Sequence, residues 1–153
     1  MQAEIRAIPI EYTVCGHSLR HDPAKGFGEE ITTLLGRVWP VIKAGAIPND
    51  GINRVVYDED ESGACAVFAG VVLGQEAAAL PGAARLERNT VRLTRYAYWK
   101  HVGPYSQIAA TGAAMTKALE ARGVRTGWPM VEVYGHWSGD ERTLETETFV
   151  ALR

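Results

Sequence analysis

The order of predicted secondary-structure elements occurs twice in the chain, and this repeat is the strongest constraint on its fold. Residues 1–74 contain a strand pattern, apolar residues at helical spacing after Phe27, and two further strand patterns around the acidic turn DEDESG. Residues 89–153 have the same β-α-β-β order, and residues 75–88 between them have the composition of a crossover loop. The repeat predicts one α+β domain over residues 1–153.

Individual residues predict several element boundaries. Residues 4–16 and 90–102 each have the pattern of one strand, and residues 129–137 have the pattern of another. Pro40 is expected to kink the first helix or end it early, because proline lacks a backbone N–H. Gly123 is expected to end the second helix.

Composition and charge argue against several classes of function. The 153 residues are 46% hydrophobic, enough for a single core, and 16 basic and 18 acidic residues are mixed along the chain. There is no basic stripe of the kind that binds nucleic acid, and no apolar run reaches the length of a membrane span. Cys15 and Cys65 have no CxxC spacing and the N-terminus lacks signal-peptide features, so we expect reduced thiols and a cytoplasmic protein.

A glutamate stands in the middle of an apolar and aromatic strand, the segment PMVEVYGHW. Alternation places Glu132 on one face with Met130 and Tyr134. One interpretation is a solvated carboxylate, or an ion pair with a base such as Arg95 or Lys100. The other is a carboxylate at the floor of an aromatic cleft, where burial raises its pKa and a bound cation lowers it again.

Comparison of the two halves favours a ligand-binding role for the carboxylates. Val55 aligns with Glu132 and Phe68 with Glu147, so the first half is apolar where the second half is charged. Because both halves should build similar sheets, the architecture alone does not require these charges. Glu147 shares a strand face with Phe149 and is a second candidate for contact with a ligand.

Aromatic residues concentrate on the predicted strands and strand ends. Most such rings belong to a core by default, yet Tyr96 and Tyr98 share a predicted strand face with Arg92 and Thr94, so that face is not purely apolar. Rings beside a carboxylate suit flat, hydrophobic, positively charged molecules. The candidate ligand-binding aromatic residues are Trp39, Tyr57, Phe68, Tyr96, Trp99, Trp128, Tyr134 and Phe149.

Signals for metal, cofactor or nucleophile chemistry are weaker. His17, His21 and Asp22 could bind a metal ion only with a further ligand that the spacing does not supply. Ser106 has no GxSxG motif around it, and no phosphate-binding glycine loop or zinc-finger spacing occurs. We therefore expect neither a metal nor a cofactor.

Several short motifs in residues 90–152 resemble those of the GyrI-like small-molecule-binding domain. They are H-x-G-P-Y in YAYWKHVGPYSQI, the glycine and E-V-Y of LEARGVRTGWPMVEVY, and the closing TETFVAL. In the first half the resemblance lies mainly in the order of elements. This domain is the effector-binding module of multidrug-sensing regulators of the AraC and MerR classes, and it also occurs as a free-standing protein.

The resemblance implies a fold and a class of ligand. The fold is a pair of β-α-β-β units related by a pseudo-two-fold, with antiparallel sheets, a helix from each unit and a ligand cleft between the halves. The ligands are hydrophobic, cationic small molecules, and a strand glutamate that matches Glu132 meets their charge. Because no helix-turn-helix precedes the domain, we expect no direct binding of DNA, and we expect no membrane partner.

Two other functions stay open on the same resemblance. Some free-standing relatives resemble hydrolases that open strained rings in DNA-alkylating natural products. In that case Glu132 is the general acid/base, and Tyr134 or a nearby tryptophan positions the substrate. Others resemble an inhibitor of DNA gyrase, which acts through a surface. We expect a binding protein rather than an enzyme, since a binder needs only the carboxylate and the rings.

Overall fold

In the computed structural model, which describes residues 2–153, eight β-strands and two α-helices follow the order β-β-α-β-β-β-β-α-β-β. Short 3₁₀ turns connect the two halves, and a further one directly precedes the second helix. The elements are β1 (Glu4–Arg6), β2 (Ile10–Arg20), α1 (Phe27–Ala44), β3 (Arg54–Glu59), β4 (Cys65–Val71), β5 (Glu87–Leu93), β6 (Tyr96–Val102), α2 (Ile108–Ala121), β7 (Thr126–Tyr134) and β8 (Glu145–Leu152).

All the strands belong to one antiparallel sheet with the order β1-β6-β8-β7-β3-β4-β2-β5. The predicted α+β class, with antiparallel strands and one helix from each half, is confirmed, although the strands form a single sheet. The halves join where β3 pairs with β7, with Val55 opposite Glu132. Outward from this pair lie β4 and then β2 on one side, and β8 and then β6 on the other. The two edge strands are exchanged between the halves, since β5 pairs with β2 and β1 pairs with β6. The pseudo-two-fold relation itself stays a prediction.

One face of the sheet carries a hydrophobic core that neither helix covers. Val131 and Val133 of β7 point into it, and residues of β5 and β6 join the same cluster although these strands lie near opposite ends of the strand order. The sheet therefore curls into a half-barrel around this cluster. Its buried members are Val14, Val56, Phe68, Val91, Leu93, Tyr96, Tyr98, Val131, Val133 and Phe149.

The two helices cover the other face unequally. α1 buries Leu34, Val38 and Ile42, which recur at the helical period. Of the described α2 residues, Leu119 alone is fully buried. α2 therefore leaves much more of its surface unpacked than α1. Neither helix in residues 2–153 has the length and apolarity needed to cross a bilayer.

The expectation that Pro40 ends α1 early is wrong. The helix continues to Ala44. Pro40 is exposed, and its neighbours Val38 and Ile42 are both buried on the sheet side. Packing of these two side chains holds the last turn, even though proline removes one backbone hydrogen bond.

Three strand predictions also need correction. Residues 4–16 are interrupted near Pro9, which has no N–H to donate to a neighbouring strand. Residues 90–102 form two strands, because the chain bends between Leu93 and Tyr96 and carries β6 towards the other edge of the sheet. Arg92 and Thr94 are therefore exposed and do not share a face with Tyr96. The strand predicted over residues 129–137 begins at Thr126 and ends at Tyr134.

Two glycines allow β2 and β4 to approach closely. Gly16 pairs with Gly70, and a Cβ at Gly70 would lie 2.0 Å from the Cys15 carbonyl oxygen. We predict that Gly70→Ala lowers the free energy of unfolding by about 3 kcal/mol or more, because backbone on both strands would have to move. Urea unfolding measures this change.

Gly36→Ala is the matched control. Gly36 is exposed within α1 and a Cβ there would meet nothing within 4 Å. This variant should stabilise the protein by about 0.5–1 kcal/mol through helix propensity. A Gly70→Ala protein that unfolds at the wild-type urea concentration would contradict the close approach.

Candidate functional site

A cleft of about 960 Å³ lies between α1 and α2, with the sheet as its floor. Both halves of the chain contribute to its lining. The floor includes Tyr57 of β3, Trp99 of β6, Glu132 and Tyr134 of β7, and Thr148 of β8. The cleft is thus mainly apolar and aromatic, and its charged lining residues are Glu132 and Arg153.

Beyond Ile108 at its start, the residues of α2 that line the cleft are small, which helps to explain its width. They include Ala109, Gly112 and Ala113. A Cβ at Gly112 would meet nothing within 4 Å. Since α2 fills so little of the space above the sheet, room for a ligand remains between the helices.

Glu132 is held in the cleft by two phenols. It is 6% exposed, and strand alternation places it with Met130 and Tyr134 on the helix side of β7. The Tyr57 hydroxyl donates to Glu132 Oε1 at 2.6 Å, and the Tyr134 hydroxyl donates to the same oxygen at 2.8 Å. The two bonds fix the orientation of the carboxylate.

The second carboxylate oxygen faces the cleft. Glu132 Oε2 accepts no hydrogen bond from residues 2–153, and it is not among their fully enclosed unpaired atoms. No Lys, Arg or His in the described chain pairs with Glu132, and Lys100 instead lies 3.5 Å from Glu145. The internal ion pair that the sequence left open is therefore not formed.

Burial governs the titration of this cluster. It raises the pKa of Glu132, and the hydrogen bonds from Tyr57 and Tyr134 offset part of the rise. Burial, and then the nearby carboxylate, raise the pKa of both tyrosines. Tyr57 and Tyr134 therefore keep their protons and act as donors, while the carboxylate charge has no cation beside it.

The structure brings together five of the residues proposed from the sequence. Tyr57, Trp99, Trp128, Glu132 and Tyr134 all line the cleft. Trp99 is buried beneath α2, whereas Trp128 is partly exposed at the cleft edge.

Trp39 lies one contact away from the cleft. It packs on the sheet side of α1, and its indole Nε1 donates to Asn53 Oδ1 at 3.0 Å. Asn53, not Trp39, lines the cleft.

The expectation that Glu147, Phe149, Phe68 and Tyr96 share this cleft is wrong. Glu147 is paired with Val133, so it lies on the helix-free face of the sheet, as do the three aromatic residues. The Tyr98 hydroxyl donates to Glu147 Oε2 at 2.5 Å. Burial and this contact raise the pKa of Tyr98 to about 12.

Sequence reasoning missed two aromatic residues of the cleft, Phe27 and Tyr105. Each stands at the start of a helical segment. Tyr105 belongs to the H-x-G-P-Y motif, which is the one signal that could have identified it. Phe27 carries no comparable signal.

The histidines near the first helix have carboxylate partners. His21 Nδ1 lies 2.5 Å from Glu30 Oε1, and His17 Nδ1 lies 3.4 Å from Glu87 Oε2. Within residues 2–153 no group of three or more His, Cys, Asp or Glu side chains is placed to bind a metal ion.

Comparison with known proteins places this architecture in a family. The model of the "GyrI-like small molecule binding domain" family matches residues 1–153. SAV2435 bound to tetraphenylphosphonium has a similar structure, with a TM-score of 0.71 and 14% identity over 100% of this chain and 94% of that chain. The C-terminal domain of EcmrR gives a TM-score of 0.71 at 13% identity, over 99% and 97%.

A hydrolase from Listeria innocua is also similar, with a TM-score of 0.54 and 16% identity over 99% of this chain and 92% of that chain. At such identities the likeness to the three structures shows the fold alone. The search of curated proteins found no match.

The raised pKa of Glu132 predicts a pH-dependent stability. Between the ordinary carboxyl pKa and the raised one, the folded protein holds a proton that the unfolded chain has released, so stability falls as pH rises through that window. Glu132→Gln removes the charge and should stabilise the protein by about 1 kcal/mol at pH 7. The gain should disappear towards pH 4, where both states are protonated.

Urea unfolding of both proteins from pH 4 to pH 8 measures this difference. A gain that is the same at every pH, or larger at pH 4, would show that burial does not raise the pKa of Glu132.

Proposed function

This chain belongs to the GyrI-like small-molecule-binding domain family, and we propose that it binds hydrophobic cations in the cleft between α1 and α2. The observation that carries the proposal is the buried Glu132 carboxylate, which has two phenol donors but no cation within the described chain. A buried charge is costly unless it is paired. A cationic ligand beside Oε2 would supply the missing partner.

The walls of the cleft suit the apolar part of such a ligand. Trp99, Trp128 and Tyr134 offer aromatic surface close to the carboxylate, and aromatic faces attract cations. A volume of about 960 Å³ lies within the range of sites for drug-sized molecules, roughly 300–1,000 Å³. The tetraphenylphosphonium bound to SAV2435 is a molecule of this kind and supports the proposal.

Hydrolysis of an electrophilic toxin is the second candidate function. The open Oε2 and the raised pKa of Glu132 suit a general acid/base. Tyr134 would then position the substrate, and the similarity in fold to a hydrolase from Listeria innocua favours testing for turnover. Both candidates use Glu132, so binding must be measured together with product analysis.

We predict that Glu132→Gln weakens the binding of tetraphenylphosphonium by roughly ten- to a hundredfold, because the cation loses a desolvated counter-charge. The neutral probe triphenylphosphine oxide should lose little affinity. Glu147→Gln is the matched control, since Glu147 lies on the opposite face of the sheet, and it should bind tetraphenylphosphonium like the wild type. Isothermal titration calorimetry at pH 7.5 measures all three proteins.

An unchanged dissociation constant for Glu132→Gln would overturn the role of the carboxylate as counter-ion. Mass spectrometry after incubation with a cyclopropane-bearing alkylating agent separates the two functions. Multiple turnovers by the wild type, and none by Glu132→Gln, would establish the hydrolase instead.

A second prediction concerns the space beside α2. Gly112→Leu should project a side chain into the cleft, because Gly112 lines it and a Cβ there would meet nothing within 4 Å. This variant should weaken tetraphenylphosphonium binding at least about tenfold by occupying its volume. Leucine also favours helix over glycine, by up to about 1 kcal/mol, so the unfolding temperature should not fall. Calorimetry and thermal unfolding measure the two effects.

Gly36→Leu is the matched control, since Gly36 is exposed on α1 and lies outside the cleft. It should gain the same helix propensity and bind the cation normally. Normal binding by Gly112→Leu would place the ligand elsewhere.

A further inference from the structure

Two partly exposed rings stand over the tyrosines that hold Glu132. Phe27 is 40% exposed and meets Tyr57 edge-on, with ring centroids 5.4 Å apart. Tyr105 is 41% exposed and meets Tyr134 edge-on at 5.3 Å. Both line the cleft. One ring comes from the α1 side and the other from the α2 side, so they flank the carboxylate.

The ring of Phe27 is backed by His21, which in turn contacts the buried Glu30. The His21 ring stacks on Phe27, with centroids 3.9 Å apart and an interplanar angle of 12°. His21 is held by Glu30, which is 2% exposed and also accepts the Asp22 backbone N–H at 2.9 Å. Phe27 thus has one face covered by the imidazole of His21, and it also lines the cleft.

The turn that precedes Tyr105 is held by His101. His101 Nε2 lies 3.0 Å from the Pro104 carbonyl oxygen, and since a carbonyl only accepts, Nε2 carries the proton. In the neutral ring Nδ1 then accepts from the Thr111 hydroxyl at 2.8 Å. Gly103 turns the chain with a φ of +135°. His101 therefore joins β6, the turn before Tyr105 and the first part of α2.

We propose that Phe27 and Tyr105 form an aromatic clamp, and that this clamp makes the cleft select cations bearing aromatic rings over alkyl cations of the same charge. His21 and His101 are its positioning residues. The clamp rests on the proposed function, because it supposes that cations bind at Glu132. A purely structural role is the competing account, in which each ring only seals the start of a helix.

The clamp is tested with two cations of equal charge, tetraphenylphosphonium and tetrabutylphosphonium. Phe27→Leu and Tyr105→Leu keep an apolar side chain but remove the ring. Each should weaken tetraphenylphosphonium binding at least about fivefold, as expected for the loss of aromatic contacts. Each should leave tetrabutylphosphonium within about twofold of the wild-type affinity. Glu132→Gln should weaken the binding of both cations.

The outcomes separate the clamp from the proposed function. The clamp is overturned if Phe27→Leu and Tyr105→Leu weaken the binding of both cations equally, or weaken the binding of neither. The role of Glu132 as counter-charge is judged separately, by the affinities of Glu132→Gln. A wild-type protein that binds neither cation overturns both proposals.

The positioning role of His21 is tested by a double-mutant cycle. His21→Gln can still donate to Glu30 but cannot stack on Phe27, so the fold should persist, as thermal unfolding would show. It should weaken tetraphenylphosphonium binding at least about threefold in the wild type and have no effect in Phe27→Leu. Thr111→Val removes the hydroxyl that contacts His101. Combined with Tyr105→Leu in a second cycle, it tests the positioning role of His101 in the same way. Equal losses in both backgrounds would mean that these residues do not act through the rings.

Discussion

The pairing of β3 with β7 is the contact on which the candidate site depends. It joins the two halves of the sheet and sets Val55 opposite Glu132. In this register Tyr57 and Tyr134 both lie on the helix side, where their hydroxyls meet at Glu132 Oε1. A slip of one residue in β7 would turn Glu132 into the core and Val131 towards the helices, because successive side chains point to opposite faces.

The chemistry of the cleft follows from the charge of Glu132, which the surrounding residues do not neutralise. Two neutral phenols donate to Glu132, which orients the carboxylate but does not cancel its charge. Burial raises the pKa of Glu132 and costs the protein stability whenever the group is ionised. Natural proteins tolerate such local costs at functional sites. A bound cation would pair with the buried carboxylate and remove this unfavourable free energy, which would add to the affinity for the cation.

Unequal packing of the helices provides the room for a ligand. α1 is fastened to the sheet along its length by Leu34, Val38 and Ile42. α2 is fastened near its end by Leu119 and near its start by the contacts of His101. Between these points it presents small residues such as Gly112. Met115 also packs against the cluster that contains Leu119. A helix attached in this way, with small residues such as Gly112 facing the cleft, can span it without filling it.

The sequence by itself determined the α+β class, with one helix from each half of the chain, and the face of β7 that Glu132 shares with Tyr134. These properties follow from hydrophobic period and alternation, which are local along the chain. Only the tertiary structure decided which face of the sheet meets the helices. That choice separates Glu132 from Glu147 and brings Phe27 to Tyr57 across 30 positions of sequence. It depends on the register and curl of strands far apart in the chain, and no local pattern encodes either.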